Sequence, residues 1–169
     1  MKKELPARKN IRLQGYDYSR AGCYFVTLCV KDGHEMLGKI VTPVGAISNR
    51  PNTLVELTKH GYTVEKAIRE IPICYQGVTV DNYVIMPNHM HMIITLRNGY
   101  DSGGRLIIAP TKVSAIVQQY KRSVTKQIGF SMWQKSYHDH IIRDEDEYRR
   151  IWQYIDENPA KWTEDKYYG

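Results

Sequence analysis

Phenylalanine is nearly missing from this chain: two residues in 169, beside thirteen tyrosines. The aromatic rings therefore carry phenols almost throughout, which suits a protein that uses ring faces and hydroxyls against a polar partner. Cysteine is scarce as well. Cys23, Cys29 and Cys74 are an odd set with no C-x-x-C pair. That excludes a disulfide framework and a cysteine-rich zinc site, and it fits a reducing compartment. No apolar run is long enough to cross a bilayer, and the basic first ten residues lack the apolar stretch of a secretory signal. The expectation is a cytoplasmic protein with no membrane association. Repeats and low-complexity tracts are absent too, so residues 1–169 are expected to form a single domain with a basic arm at 1–21.

Charge is what the chain has in excess of one sign. Twenty-four Lys and Arg against eighteen Asp and Glu give a net charge of +6. An acidic partner is implied, nucleic acid first. Tyr24–Val30 is rich in aromatic and β-branched residues and reads as a strand, with Met36–Val41 expected to pair back on it. Thr53–Ile71 reads as a helix, with Thr53 and Glu56 spaced as a capping box and Gly61 as a weak point. Gly77–Met86 and His89–Leu96 are strand-like. Thr111–Ile128 is a helix with Val113, Ile116, Val117, Tyr120 and Val124 on one face and Lys112, Lys121, Arg122 and Lys126 on the other; Gly129 ends it. Asp144–Asn158 is the last helix, capped by Asp144 with Glu147 and stopped by Pro159; Tyr148, Ile151, Trp152 and Ile155 form its apolar stripe. This order predicts an α+β fold, with helices on one face of a mainly antiparallel sheet.

Within Met86-Pro87-Asn88-His89-Met90-His91, the two histidines stand two apart on a strand. Their imidazoles project to one side, and two imidazoles at that spacing can share a metal ion. On the last helix Tyr154 and Asn158 are four apart and share a flank beside the buried stripe.

Four blocks resemble the single-tyrosine HUH transposases, in particular the REP-associated tyrosine transposase branch: Gly15–Tyr18 through Tyr24–Thr27; Met86–His91; Met132-Trp133-Gln134 through Arg143; and Tyr154-Ile155-Asp156-Glu157-Asn158-Pro159 through Trp162. The resemblance implies a ferredoxin-like (RRM-like) antiparallel sheet of the HUH endonuclease type, with the histidine pair on a central strand. It implies that His89, His91 and the Asn158 side-chain oxygen hold Mg²⁺ or Mn²⁺. Tyr154 would be the nucleophile that takes a DNA 5′-phosphate and releases a 3′-hydroxyl. The substrate implied is single-stranded or hairpin DNA at palindromic repeats. DNA contacts are then expected from Arg12 in the arm, from Lys112, Lys121, Arg122, Lys126 and Arg143, and from Trp133 and Gln134. Tyr120 is the rival nucleophile, placed by its spacing on a packed face. His138 and His140 form a second H-x-H without a third ligand at a matching spacing. A homodimer and a monomer both stay open. The competing reading is a catalytically slow or inactive protein that grips nucleic-acid hairpins without cutting them.

Overall fold

The structure, a computed structural model, describes residues 20–41, 54–100, 106–107 and 112–168. The basic arm, Arg12 and the expected cap Thr53 lie outside the described residues. Elements follow in the order β1 (Gly22–Cys29), β2 (Gly38–Val41), β3 (Leu54–Leu57), α1 (Lys59–Cys74), β4 (Val78–Ile85), β5 (His89–Leu96), the short strands β6 (Gly99–Tyr100) and β7 (Leu106–Ile107), α2 (Val113–Ile128), β8 (His138–Ile142) and α3 (Glu145–Glu157).

Four strands form one sheet in the order β4-β5-β1-β8. All three neighbour pairs are antiparallel. With α1 between β1 and β4, and α2 between β5 and β8, the connectivity is β-α-β-β-α-β, the ferredoxin-like arrangement the sequence implied. The strands use their two faces differently. Tyr24, Val26 and Leu28 of β1 and Met90, Met92, Ile94 and Leu96 of β5 form the main core with Val64, Ala67, Ile68 and Ile71 of α1 and Val113, Ile116, Val117 and Val124 of α2. Tyr120 packs there as well, its hydroxyl donating to Val64 O at 3.3 Å. The opposite face carries a smaller cluster, in which Ile93 of β5 and Ile142 of β8 meet Ile155 of α3. Helices therefore cover both faces, which corrects the one-face expectation: the two crossover helices share a side, and α3 is an addition on the other.

Two local readings also change. The helix expected from Thr53 starts later, because Leu54–Leu57 is β3, paired antiparallel with β2. The second extended segment thus pairs with β3 and not with β1. The true cap is Thr58, whose hydroxyl accepts from Gly61 N at 3.1 Å. Gly61 is not a flaw in that helix: a Cβ there would collide with the Leu37 carbonyl oxygen, so only glycine lets α1 seat this close. At α3, Asp144 accepts from Glu147 N at 2.8 Å, the expected cap. Pro159 does not end the chain's winding outright; α3 passes into a 3-10 turn over Asn158–Glu164. Trp152, expected in the buried stripe, is 36% exposed.

Candidate metal centre and nucleophile

The turn between β4 and β5 is pinned on both sides. Val30 N donates to Asn88 O at 2.8 Å and Leu37 N to Pro87 O at 2.9 Å. β5 then starts at a fixed point, and its alternation turns His89, His91, Ile93 and Thr95 toward α3 while Met90, Met92, Ile94 and Leu96 enter the core. His89 and His91 are both buried, at 0% and 1% exposure.

Each imidazole is held through its Nδ1. Asn88 Oδ1, which can only accept, lies 2.9 Å from His89 Nδ1, so that nitrogen carries the proton. The Asn88 amide is oriented by its own donations to Tyr167 O at 2.7 Å and Gly33 O at 3.3 Å. Thr27, directly opposite His91 in the β1–β5 register, places Oγ1 2.8 Å from His91 Nδ1. The two Nε2 atoms then face each other at 3.1 Å. Burial drives the His89 pKa down to about 4, and burial together with His89 drives that of His91 well below its ordinary value. Both rings are thus held neutral, the charge state a metal ligand needs.

The oxygen side of the cluster comes from the end of α3 and the turn after it. Asn158 is buried, and its Nδ2 donates to Asp165 Oδ2 at 2.9 Å. Its Oδ1 is buried with no hydrogen-bond partner among the described residues. A buried carbonyl oxygen without a donor is a group that a cation can satisfy. Asp165 adds a carboxylate that the sequence reading missed. Its Oδ2 is 3.9 Å from His89 Nε2, and ligand atoms of His89, His91 and Asp165 lie within 4.8 Å of one another. No spacing signal announces it; the 3-10 turn after Pro159, anchored by buried Trp162 stacked 5.9 Å from the His89 ring, brings it back. Two nitrogens with an amide and a carboxylate oxygen suit a hard divalent ion.

Tyr154 completes the group. α3 is tied to β4 by Tyr148 Oη donating to Asp81 Oδ2 at 3.1 Å and by Asn82 Nδ2 donating to Asp156 Oδ1 at 2.9 Å. With Ile155 buried, Tyr154 stands on the flank, 39% exposed, its Oη 3.3 Å from His91 Nε2. Phe25 holds the phenol edge-on at 6.0 Å while stacking on His91 at 5.1 Å. Burial and then the Asp165 charge raise the phenol's pKa, and the Asn158 amide pulls the other way. The rival Tyr120 is 3% exposed and bonded into the core. A second phenol, Tyr167, sits over His89 at a ring separation of 4.5 Å.

The expected DNA contacts divide. Lys121, Arg122, Lys126, Trp133 and Gln134 line one open groove of about 450 Å³ beside α2. Gln134 N donates to Cys29 O at 3.0 Å, and Cys29 pairs with His89, so this groove and the metal centre share one end of the sheet. Trp133 is only 5% exposed, too little to offer a stacking face. Lys121 Nζ donates to Gln134 O and Ser136 O at 2.8 and 2.9 Å, so it also clasps the groove's far wall. Lys112 is exposed at the start of α2. Arg143 is elsewhere, in a second open groove with Arg97 and Asp81 at the start of α3. Among the described residues, no helix is long and apolar enough to cross a membrane.

No protein-family model matches the sequence. An uncharacterized protein of Haemophilus influenzae is 33% identical over 177 residues, covering 95% of this chain and 93% of that one. The REP-associated tyrosine transposase of Escherichia coli is 31% identical over 83 residues, 48% of this chain and 44% of that one. Among solved structures, a REP-associated tyrosine transposase bound to a REP hairpin superposes with a TM-score of 0.63 at 22% identity, over 92% of this chain and 76% of that one. The chain belongs to the family of the Haemophilus influenzae protein and is related to the REP-associated tyrosine transposases.

Proposed function

We propose that this relative of the REP-associated tyrosine transposases is a metal-dependent, single-strand DNA endonuclease and strand transferase that uses Tyr154 as its nucleophile. The observation that carries the reading is the Tyr154 hydroxyl 3.3 Å from His91 Nε2, at a cluster where ligand atoms of His89, His91 and Asp165 lie within 4.8 Å of one another and Asn158 Nδ2 donates to Asp165. His89, His91, Asn158 and Asp165 would hold Mg²⁺ or Mn²⁺. When bound, that ion supplies positive charge against the phosphate's developing negative charge.

The chain's own groups do the rest. Asn88 fixes the tautomer of His89, and Thr27 holds the His91 ring through its Nδ1, so neither ring turns away from the centre. Phe25 and the two ties between α3 and β4 hold the phenol at a set distance, and positioning is a large share of catalysis in phosphoryl transfer. Tyr154 Oη attacks phosphorus and keeps the 5′-phosphate, which conserves the bond for rejoining. All of these groups come from one chain, so a monomer holds a complete set. The groove of Lys121, Arg122 and Lys126 at the same end of the sheet supports a DNA phosphate track, and a related transposase is bound to a REP hairpin.

The test mixes the protein and Mn²⁺ with end-labelled hairpin DNA bearing a single-stranded extension. A protein–DNA adduct stable to denaturation is expected, absent in Tyr154→Phe and on chelation. An undiminished adduct in Tyr154→Phe refutes the assignment. Tight hairpin binding with no metal-dependent product supports the non-cutting alternative.

A further inference from the structure

The turn that returns Asp165 to the metal centre also carries a lysine. Asp165 is anchored through both carboxylate oxygens: Oδ2 accepts from Asn158 Nδ2 at 2.9 Å, and Oδ1 accepts from Tyr167 N at 2.8 Å. Tyr167 is anchored in its turn, since its carbonyl oxygen accepts from Asn88 Nδ2 at 2.7 Å. Lys166 stands between these two fixed residues. Its Nζ lies 4.7 Å from the centroid of the Tyr167 ring, and that ring is 4.5 Å from the His89 ring. A cation–π contact therefore keeps the ammonium beside the centre. Burial is the main cause that lowers the two histidine pKa values, and the Lys166 charge acts in the same direction on both.

A cavity of about 280 Å³ opens at the same place, and Tyr154, Asn158, Lys161, Asp165 and Lys166 all line it. The phenol, the amide, the carboxylate and two ammonium groups thus border one space. The two lysines differ. Lys161 Nζ is 2.6 Å from Glu157 Oε2, and its charge is taken up in that pair. Among the described residues, no carboxylate lies within ion-pair distance of Lys166. An unpaired ammonium opposes any divalent cation held by His89, His91 and Asp165, because like charges repel more strongly where water is partly excluded. That opposition turns into attraction once an anion enters with the ion. A phosphodiester is such an anion, and it would lie against the phenol because the phenol lines the cavity.

We propose that Lys166 binds a nonbridging oxygen of the DNA phosphate that Tyr154 attacks, in the cavity it shares with that phenol; this rests on the tyrosine-nucleophile reading above. Its ammonium is a point charge with three donors on a flexible stem, which suits a phosphate oxygen. It lowers the repulsion between the phosphate's charge and the approaching phenol oxygen. After the cut it keeps the transferred 5′-phosphate in the cavity until the rejoining step. Lys166 makes and breaks no covalent bond and moves no proton. Its site is also separate from the groove of Lys121, Arg122 and Lys126: that groove follows the backbone, and this cavity takes the one phosphate that reacts.

The test is a double-mutant cycle between Lys166 and one phosphate. The linkage cut by the unaltered full-length chain with Mn²⁺ is mapped first. Binding is then measured in a Tyr154→Phe background, to stop cutting, with ordinary DNA and with DNA carrying an uncharged methylphosphonate at that linkage. The neutral linkage is expected to weaken binding about 10-fold more with Lys166 present than with Lys166→Met. Lys166→Arg should keep most of that difference. An equal loss with and without Lys166 overturns the proposal. Calorimetry without DNA gives a second readout: Lys166→Met should bind Mn²⁺ at least as tightly as the unaltered protein, by up to a few fold. Weaker Mn²⁺ binding would make Lys166 a prop of the Asp165 turn and overturn the proposal as well. An unaltered protein that forms no adduct overturns the tyrosine-nucleophile reading itself, a result distinct from an equal loss.

Discussion

The two faces of β5 are buried for opposite reasons. Every residue of this strand is buried. Met90, Met92, Ile94 and Leu96 meet a dry core under α1 and α2, where each side chain is removed from water by apolar neighbours. His89 and His91, one residue out of phase, are buried against polar partners: Asn88 and Thr27 hold their Nδ1 atoms, and Asp165, bonded by Asn158, comes within 3.9 Å of His89 Nε2. One face holds the fold, and the other gathers side chains that could ligate a metal ion. A single slip in register would exchange them, so the same alternation that secures the core also aims the chemistry.

The largest expected effect separates the two outright. Tyr154→Phe should cut adduct formation by roughly 10⁴-fold or more while the unfolding free energy moves by no more than about 0.5 kcal/mol, read by a gel assay and urea titration on the same samples. A variant that melts early instead would mean the phenol belongs to the packing. Met92→Ala, on the other face, should cost roughly 2–5 kcal/mol in urea unfolding. At a temperature where that variant is still folded, its Mn²⁺ affinity should match the unaltered protein. Thr27→Val tests the boundary between the faces: it removes the bond to His91 Nδ1 and should weaken Mn²⁺ binding about 10-fold by calorimetry. An unchanged affinity would remove Thr27 from the account.

The smallest effect concerns the basic groove. Burial pulls the Lys121 pKa down to about 8. Its charge is present below that value and lost as the pH rises through it. Hairpin affinity measured at fixed salt should therefore fall a few fold between pH 7 and pH 9, and Lys121→Arg should abolish the fall because guanidinium stays charged. A pH-independent affinity would assign Lys121 to clasping the Gln134–Ser136 wall alone.

How much of this was legible in the sequence follows from the same contrast. Strand alternation put His89 and His91 together, and helical spacing put Tyr154 beside Asn158, because both are local geometry. The basic face of α2 was legible for the same reason. Asp165 was not: nothing periodic leads to it, and it reaches the centre only because the chain winds on past Pro159 and Trp162 seats against His89. His140 and Glu147, whose side chains meet at 2.7 Å, were each legible, as part of an H-x-H and as a capping glutamate, but their meeting depends on β8 pairing with β1. β3 was misread because Leu54–Leu57 is short, and an apolar pair three apart fits a helix as readily as a strand.

The most direct test is to locate the adduct. Protein trapped on hairpin DNA with Mn²⁺ is digested with nuclease and protease, and the nucleotide-bearing peptide is identified by mass spectrometry. The phosphotyrosine is predicted at Tyr154. Finding it at Tyr167, which also lies against His89, or at Tyr120 would contradict the central claim.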